Sequence, residues 1–154
     1  MRAAYRCVTL ASTPPSSVGC SEGRVLQDTL DTGGCSQATI TDAAFAHLAG
    51  IHTLDMSYCD QETITDAAIA HLAGIHTLGM RGCSQATITD AAFAHLVGIH
   101  TLNMCGCNQA TITDAAFAHL AGIHVLYAVG CPQLTAAAFT HLAGAVVLPV
   151  GSVV

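Results

Sequence analysis

The sequence predicts an α/β solenoid, a horseshoe segment with parallel strands on its concave side and short helices on its convex side. Three observations lead there. The words GIHTLDMSYCDQETITDAAIAHLA, GIHTLGMRGCSQATITDAAFAHLV and GIHTLNMCGCNQATITDAAFAHLA follow one another without a gap. Their period of 24 residues lies in the range where each unit buries its apolar face only against its neighbours. Within each unit the apolar spacing switches from alternation to a helical period.

Aligning the chain on itself gives five copies, at residues 27–50, 51–74, 75–98, 99–122 and 123–144. The fifth is two residues shorter because CPQLTAAAF replaces CNQATITDAAF. In the second copy Leu54 and Met56 alternate with Asp55 and Ser57, as a half-buried strand requires. Thr65 and Asp66 then suit a helix N-terminus, Ile69 and Leu72 form its inward pair, and Gly74 suits the position after its end. The array occupies residues 25–144. Residues 1–24 read as a partly irregular segment or degenerate cap, with TPPSSVGCSEGR as loop. Residues 145–154 read as an incomplete sixth repeat and tail, placing Leu148 and Val150 on Leu126 and Ala128. Pro149 then points outward, where a residue without a backbone donor is tolerated on an edge strand.

Composition excludes several function classes. Only 9% of residues are charged, against roughly 25% in ordinary soluble domains. No lysine occurs, and Arg2, Arg6, Arg24 and Arg81 are too scattered to neutralise a phosphate backbone, so nucleic acid is not an expected partner. No apolar run approaches the roughly 20 residues that span a bilayer. The stretch MRAAYRCVTLAS carries no convincing cleavage signal, so a cytoplasmic location and no membrane contact are expected. Small outer-face residues such as Ala43, Ala46, Ala91 and Ala94 give that face little charge, and self-association is a reasonable expectation.

The reactive side chains come in ladders. Cys35, Cys59, Cys83, Cys107 and Cys131 occupy one position of each copy. Parallel side chains on strands about 4.8 Å apart do not aim at each other as a disulfide requires, so these cysteines should remain thiols. Cys105-Gly106-Cys107 is a lone C-x-C without the second pair of a zinc site. His47, His71, His95, His119 and His141 fall near helix ends, where the dipole favours a cation. His52, His76, His100 and His124 precede the strands. If both histidine rows are exposed, mild acid brings up to nine positive charges against ten acidic residues. Asp42, Asp66, Asp90 and Asp114 belong to the helix-capping pattern, and as equivalent copies they lack the distinct environments of a catalytic pair. With no catalytic motif present, the reading is a non-enzyme that uses no cofactor and no metal.

The spacing Ile51-x-x-Leu54-x-Met56-x-x-Cys59, followed by Ile64-Thr65-Asp66 and a second apolar pair, resembles the cysteine-containing class of leucine-rich repeats. The resemblance covers residues 25–144, although Thr32 stands where later copies carry methionine and no F-box sequence is present. It implies a right-handed solenoid used for protein recognition, often as the substrate-binding half of F-box proteins in ubiquitin ligases. It also implies that the ladder cysteine turns inward and that its S–H helps satisfy loop backbone.

Information about a partner lies where the copies disagree. Between the inward strand residues they read Asp31, Asp55, Gly79, Asn103 and Tyr127, and two residues later Gly33, Ser57, Arg81, Cys105 and Val129. Tyr58 adds an aromatic where the other copies have glycine. Aromatic, arginine and acidic clusters are common in recognition surfaces. The expected site is therefore a concave protein-binding face of Asp31, Asp55, Ser57, Tyr58, Arg81, Asn103, Cys105 and Tyr127. The expected function is a non-catalytic protein–protein interaction module, a substrate-recognition or adaptor element. The alternatives are a structural or vestigial repeat fragment without a dedicated ligand, and a cysteine and histidine metal binder.

Overall fold

A computed structural model of the chain describes residues 29–35 and 40–148. Among them six three-residue strands form one parallel sheet in sequence order: β1 Thr29–Asp31, β2 Thr53–Asp55, β3 Thr77–Gly79, β4 Thr101–Asn103, β5 Val125–Tyr127 and β6 Val146–Leu148. Each strand pairs only with its neighbours in the chain, so the molecule is built as consecutive coils of one spiral. The central residue of each of β2 to β5 (Leu54, Leu78, Leu102, Leu126) is fully buried. Its flanking residues are not, as a strand with one core face requires. Beyond each strand the ladder continues into the turn, with Met56 N–H donating to Gly79 O at 2.7 Å and Met80 N–H to Asn103 O at 2.7 Å.

The return limbs are short helical turns. Helices α1 Asp42–Phe45, α2 Asp66–Ala70 and α3 Asp90–Phe93 are α-helical, the first and third continuing as 3-10 turns at Ala46–Leu48 and Ala94–Leu96. The corresponding limbs Asp114–Leu120 and Ala136–His141 are 3-10 throughout. Thr65, Thr89, Thr113 and Thr135 each sit in extended backbone ahead of the helical turn and accept a bond from the N–H two residues on. These are N-caps as expected. Gly74, with φ of 83°, closes its limb in the left-handed conformation that suits glycine.

The core lies between strands and limbs as tiers of like residues. Leu54, Met56, Ile64, Ile69 and Leu72 are buried in the second coil and their counterparts follow in later coils. Phe93, Phe117 and Phe139 form a row with centroids about 6 Å apart (6.0 and 5.9 Å). Gln61, Gln85 and Gln109 add a buried polar row that the sequence reading did not single out. The Gln61 amide donates to Cys35 O at 2.6 Å across the coil boundary.

The repeated aspartates do something other than cap their own helices. Asp66 accepts from Thr89 N–H and from Thr89 Oγ–H of the next coil, both at 2.7 Å. Asp42 holds Thr65, Asp90 holds Thr113 and Asp114 holds Thr135 in the same way. Each threonine hydroxyl thus donates to the preceding coil while accepting from its own limb. Thr63, Thr87 and Thr111 add a second row, donating to Ile40 O, Ile64 O and Ile88 O. A charge-assisted, two-pronged contact of this kind is stronger than a neutral bond. The sequence shows the aspartate at a helix start, but the partner is one period away and lies in another coil.

The last strand differs from its sequence alignment by one residue. Val147 pairs with Leu126, and Leu148 pairs with Tyr127. The reason is local: Gly144 is followed by Ala145 and then Val146, whereas Gly122 is followed by Ile123 and His124 before Val125. The histidine position is missing, so the chain enters the strand one residue early. A slip of one residue exchanges the two faces of a strand. Val147 therefore packs on the core while Val146 is 61% exposed. The expectations for Val150, Pro149 and residues 1–24 fall outside the described residues.

Because the tiers carry the fold, Leu102→Ala should cost on the order of 2–5 kcal/mol. Leu30→Ala, at the half-buried first rung, should cost less. Urea denaturation midpoints of the two variants check this, and equal losses would contradict a central tier dominated by packing.

Candidate interaction surface

The variable residues of the inner curve separate into three groups once their partners are known. Asp31, Asp55 and Asn103 use a side-chain oxygen to accept from the backbone N–H two residues on, at Gly33 (2.9 Å), Ser57 (2.8 Å) and Cys105 (3.2 Å). They form Asx turns that end the strands. The sequence reading placed them on the recognition face without this backbone role. Ser57 departs from expectation more fully, because it is only 9% exposed and its hydroxyl accepts from Arg81 N–H at 3.2 Å. It ties two coils together and offers little to a partner.

Tyr58 and Arg81 form the second group. Tyr58 is 54% exposed, and with φ of 60° it is the non-glycine residue with positive φ among the described residues. The equivalent positions are Gly34, Gly82, Gly106 and Gly130, all at positive φ. A side chain in this conformation costs about 1–2 kcal/mol. The tyrosine ring lies across the neighbouring turn, where a Cβ on Gly82 would come within 2.6 Å of it. The missing side chain of Gly82 therefore makes room for the ring. Arg81 places its guanidinium carbon 5.7 Å from the ring centroid, a cation–π arrangement.

Tyr58, Arg81, Asn103 and Cys105 line one open depression of about 430 Å³, with Val129 and the turns at Gly82 and Gly106 completing it. This volume falls within the roughly 300–1,000 Å³ of small-ligand sites. Tyr127 forms the third group; like Asp31 and Asp55 it lies on a strand and outside that lining. Copy-to-copy variation marked Tyr58 and Arg81. The glycine in the other copies also signalled the strained backbone at Tyr58, a clue available in the sequence that its reading did not use.

No protein-family model and no curated protein matches the sequence. Solved structures do. The TLR13–ssRNA13 complex matches with a TM-score of 0.60 and 18% identity over 79% of this chain and 21% of that one. The yeast Rad7 and Elc1 complex gives 0.54 and 18% over 78% and 32%, and the Drosophila Toll–Spatzle complex gives 0.51 and 12% over 73% and 15%. The fold is a leucine-rich repeat horseshoe. This chain spans between 15% and 32% of the length of those proteins.

Two further ladders belong to the leucine-rich repeat framework. Cys83, Cys107 and Cys131 are buried, and their S–H groups donate to Met56 O, Met80 O and Met104 O at 3.3, 2.9 and 3.0 Å. Cys59 does the same to Thr32 O at 3.4 Å. Burial raises all four thiols, that of Cys107 to about 12. Cys35 overturns the expectation of a free thiol, since it is disulfide-bonded, with its partner outside the described residues. Neighbouring rungs are indeed not bridged. The first rung has no preceding rung among the described coils to fix what lies beside its sulfur.

The histidines before the strands form a stack, with centroid spacings of 4.4, 4.4 and 4.2 Å from His52 through His76 and His100 to His124. His76 and His100 are half-buried, unlike the exposed His47 row. Loss of solvation, then the neighbouring imidazoles His52, His100 and His124, hold His76 below the ordinary histidine range. His76 therefore takes up a proton less readily than an ordinary histidine as the pH falls. Rings stacked face to face do not converge on one ion, and among the described residues no group of three His, Cys, Asp or Glu could hold a metal. Nor, among those residues, is any helix long and apolar enough to cross a membrane.

Of the five free cysteines described, Cys105 alone is half-exposed, so iodoacetamide at neutral pH should label it first. Peptide mapping of the native protein checks this, and equal labelling of Cys83 or Cys107 would contradict the buried ladder. Because His76 is held below the ordinary histidine range, the folded chain binds fewer protons than the unfolded chain as pH falls, so stability should fall as pH drops through about 6.5. The His76→Gln variant should show a smaller fall in urea midpoint between about pH 7.5 and about pH 5. An identical fall in both proteins would remove the stack as its cause.

Proposed function

We propose that this chain is a non-catalytic protein-interaction module whose concave face, centred on Tyr58 and Arg81, docks a protein partner as a substrate-recognition or adaptor element. The observation that carries this reading is the strained, half-exposed Tyr58. Four coils use glycine at that turn, and the coil that does not presents an aromatic ring beside a cation. Outliers of this kind concentrate at binding sites, where a local cost is retained for function. Tyrosine and arginine are also the residue types that dominate interface energetics.

Asn103 and Cys105 extend the contact within the depression, and Tyr127, Asp55 and Asp31 flank it along the strands. Ser57 contributes by holding the Arg81 backbone. Two of the similar structures pair their repeat protein with a protein, Rad7 with Elc1 and Toll with Spatzle, whereas TLR13 is bound to RNA. A protein is the better partner for this chain. Arg81 is the single lysine or arginine among the described residues, and one cation releases too few counterions to hold a phosphate backbone.

The test is affinity capture from cell extract with the native chain and with a Tyr58→Ala plus Arg81→Ala double variant, compared by quantitative mass spectrometry. A protein enriched on the native chain should be lost from the variant, with the melting temperature close to the native value because alanine keeps the Cβ at the strained turn. Unchanged capture would overturn the concave site, and the absence of any protein enriched on the native chain would favour the structural or vestigial reading.

A further inference from the structure

We propose that the depression around Arg81 takes an isolated carboxylate, an aspartate or glutamate side chain, carried on an extended protein segment whose adjacent residues are small and apolar. This rests on the concave-docking reading and names the chemistry of its partner.

The charge pattern is the first argument. The protein has a net charge of −6, and Arg81 makes no ion pair with any described residue. Acidic side chains are thinned around it: in the strand row the first two coils carry Asp31 and Asp55, while the arginine's own coil carries Gly79 and the next carries Asn103. Asp55 remains on the upstream side, with one oxygen already accepting from Ser57 N–H. The result is one cation without an ion-pair partner among the described residues, in a depression whose lining carries no acidic side chain.

Donor geometry is the second. The guanidinium lies over the Tyr58 ring, 5.7 Å from its centroid, an arrangement that limits its freedom and suits its planar fork to a two-oxygen acceptor. The Asn103 side-chain oxygen is committed to Cys105 N–H. Its amide N–H groups are therefore the part left to donate, and Asn103 is among the residues that line the depression. The proposed carboxylate accepts from both side chains, which line one depression.

The rest of the lining selects what accompanies that carboxylate. Cys105 and Val129 are half-buried and offer apolar contact to a small aliphatic neighbour. A run of acidic residues is disfavoured, because the overall negative charge repels it. A phosphate, with close to two charges at neutral pH, asks for more than one cation and is opposed by Asp55.

Fluorescence anisotropy with three fluorescein-labelled peptides tests this on the full chain: Ala-Val-Glu-Ala-Val, the same with glutamine for glutamate, and the same with phosphoserine. The glutamate peptide should bind the native protein about tenfold more tightly than the glutamine peptide. Arg81→Gln should abolish that preference. Tyr58→Gly should weaken the glutamate peptide while leaving the melting temperature equal or higher, because glycine relieves the turn. Equal binding of glutamate and glutamine, no binding of the glutamate peptide at millimolar concentration, or tighter binding of phosphoserine would each overturn the proposal. If any of these occurs while capture from extract still depends on Tyr58 and Arg81, the docking face stands and the carboxylate is wrong.

Discussion

Constant translation from one coil to the next is the constraint on which the structure depends. The Asp66 carboxylate finds Thr89, the Cys83 thiol finds Met56 O and the Thr87 hydroxyl finds Ile64 O because each partner lies one coil away at a repeated offset. None of these bonds forms within a coil. A single unit therefore leaves these groups without their partners, and stacking supplies them. The imidazole stack at 4.2–4.4 Å is the same translation expressed in side chains that gain little from it when protonated.

That constraint also decides where a binding surface can arise. Most positions that point into the core or bridge two coils keep one residue type or an apolar substitute, as the leucine and cysteine rows show and as the aspartate row shows through the fourth copy. The side chains of Tyr58 and Arg81 meet each other across two coils but form no rung of a repeated ladder, so substitution there disturbs none. Even so, the freedom is partial. Ser57 stands in the variable row and yet closes a bond to the next coil, and Asp31, Asp55 and Asn103 vary within the limits of an Asx turn. Tyr58 alone departs from what its backbone prefers. The cost remains in the folded chain, offset by the packing of the buried tiers.

The repeating core was legible because alternation and helical spacing are properties of a linear sequence, and four copies of equal length fix their phase. Leu54, Ile69, Leu72 and Leu102 were placed inside by pattern, and they are buried. The terminal strand was not legible to the same degree. Its register depends on one missing residue between Gly144 and Val146, which an alignment by similarity absorbs at the wrong place. The aspartate row was assigned to caps for a related reason: sequence proximity shows the helix that follows, while the hydrogen-bond partner is brought near only by coiling.

By itself, the sequence determined the period, the strand and limb of each unit, the inward tiers and the variability of Tyr58 and Arg81, since each follows from residue spacing within or between copies. Only the tertiary structure decided which side chains meet across coils. It turned Ser57 inward, stacked His52 to His124, gave Asp66 its threonine and laid the Tyr58 ring over Gly82 beside Arg81. Those contacts depend on distances between residues more than twenty positions apart, and such distances are fixed by the pitch of the spiral, which no local pattern encodes.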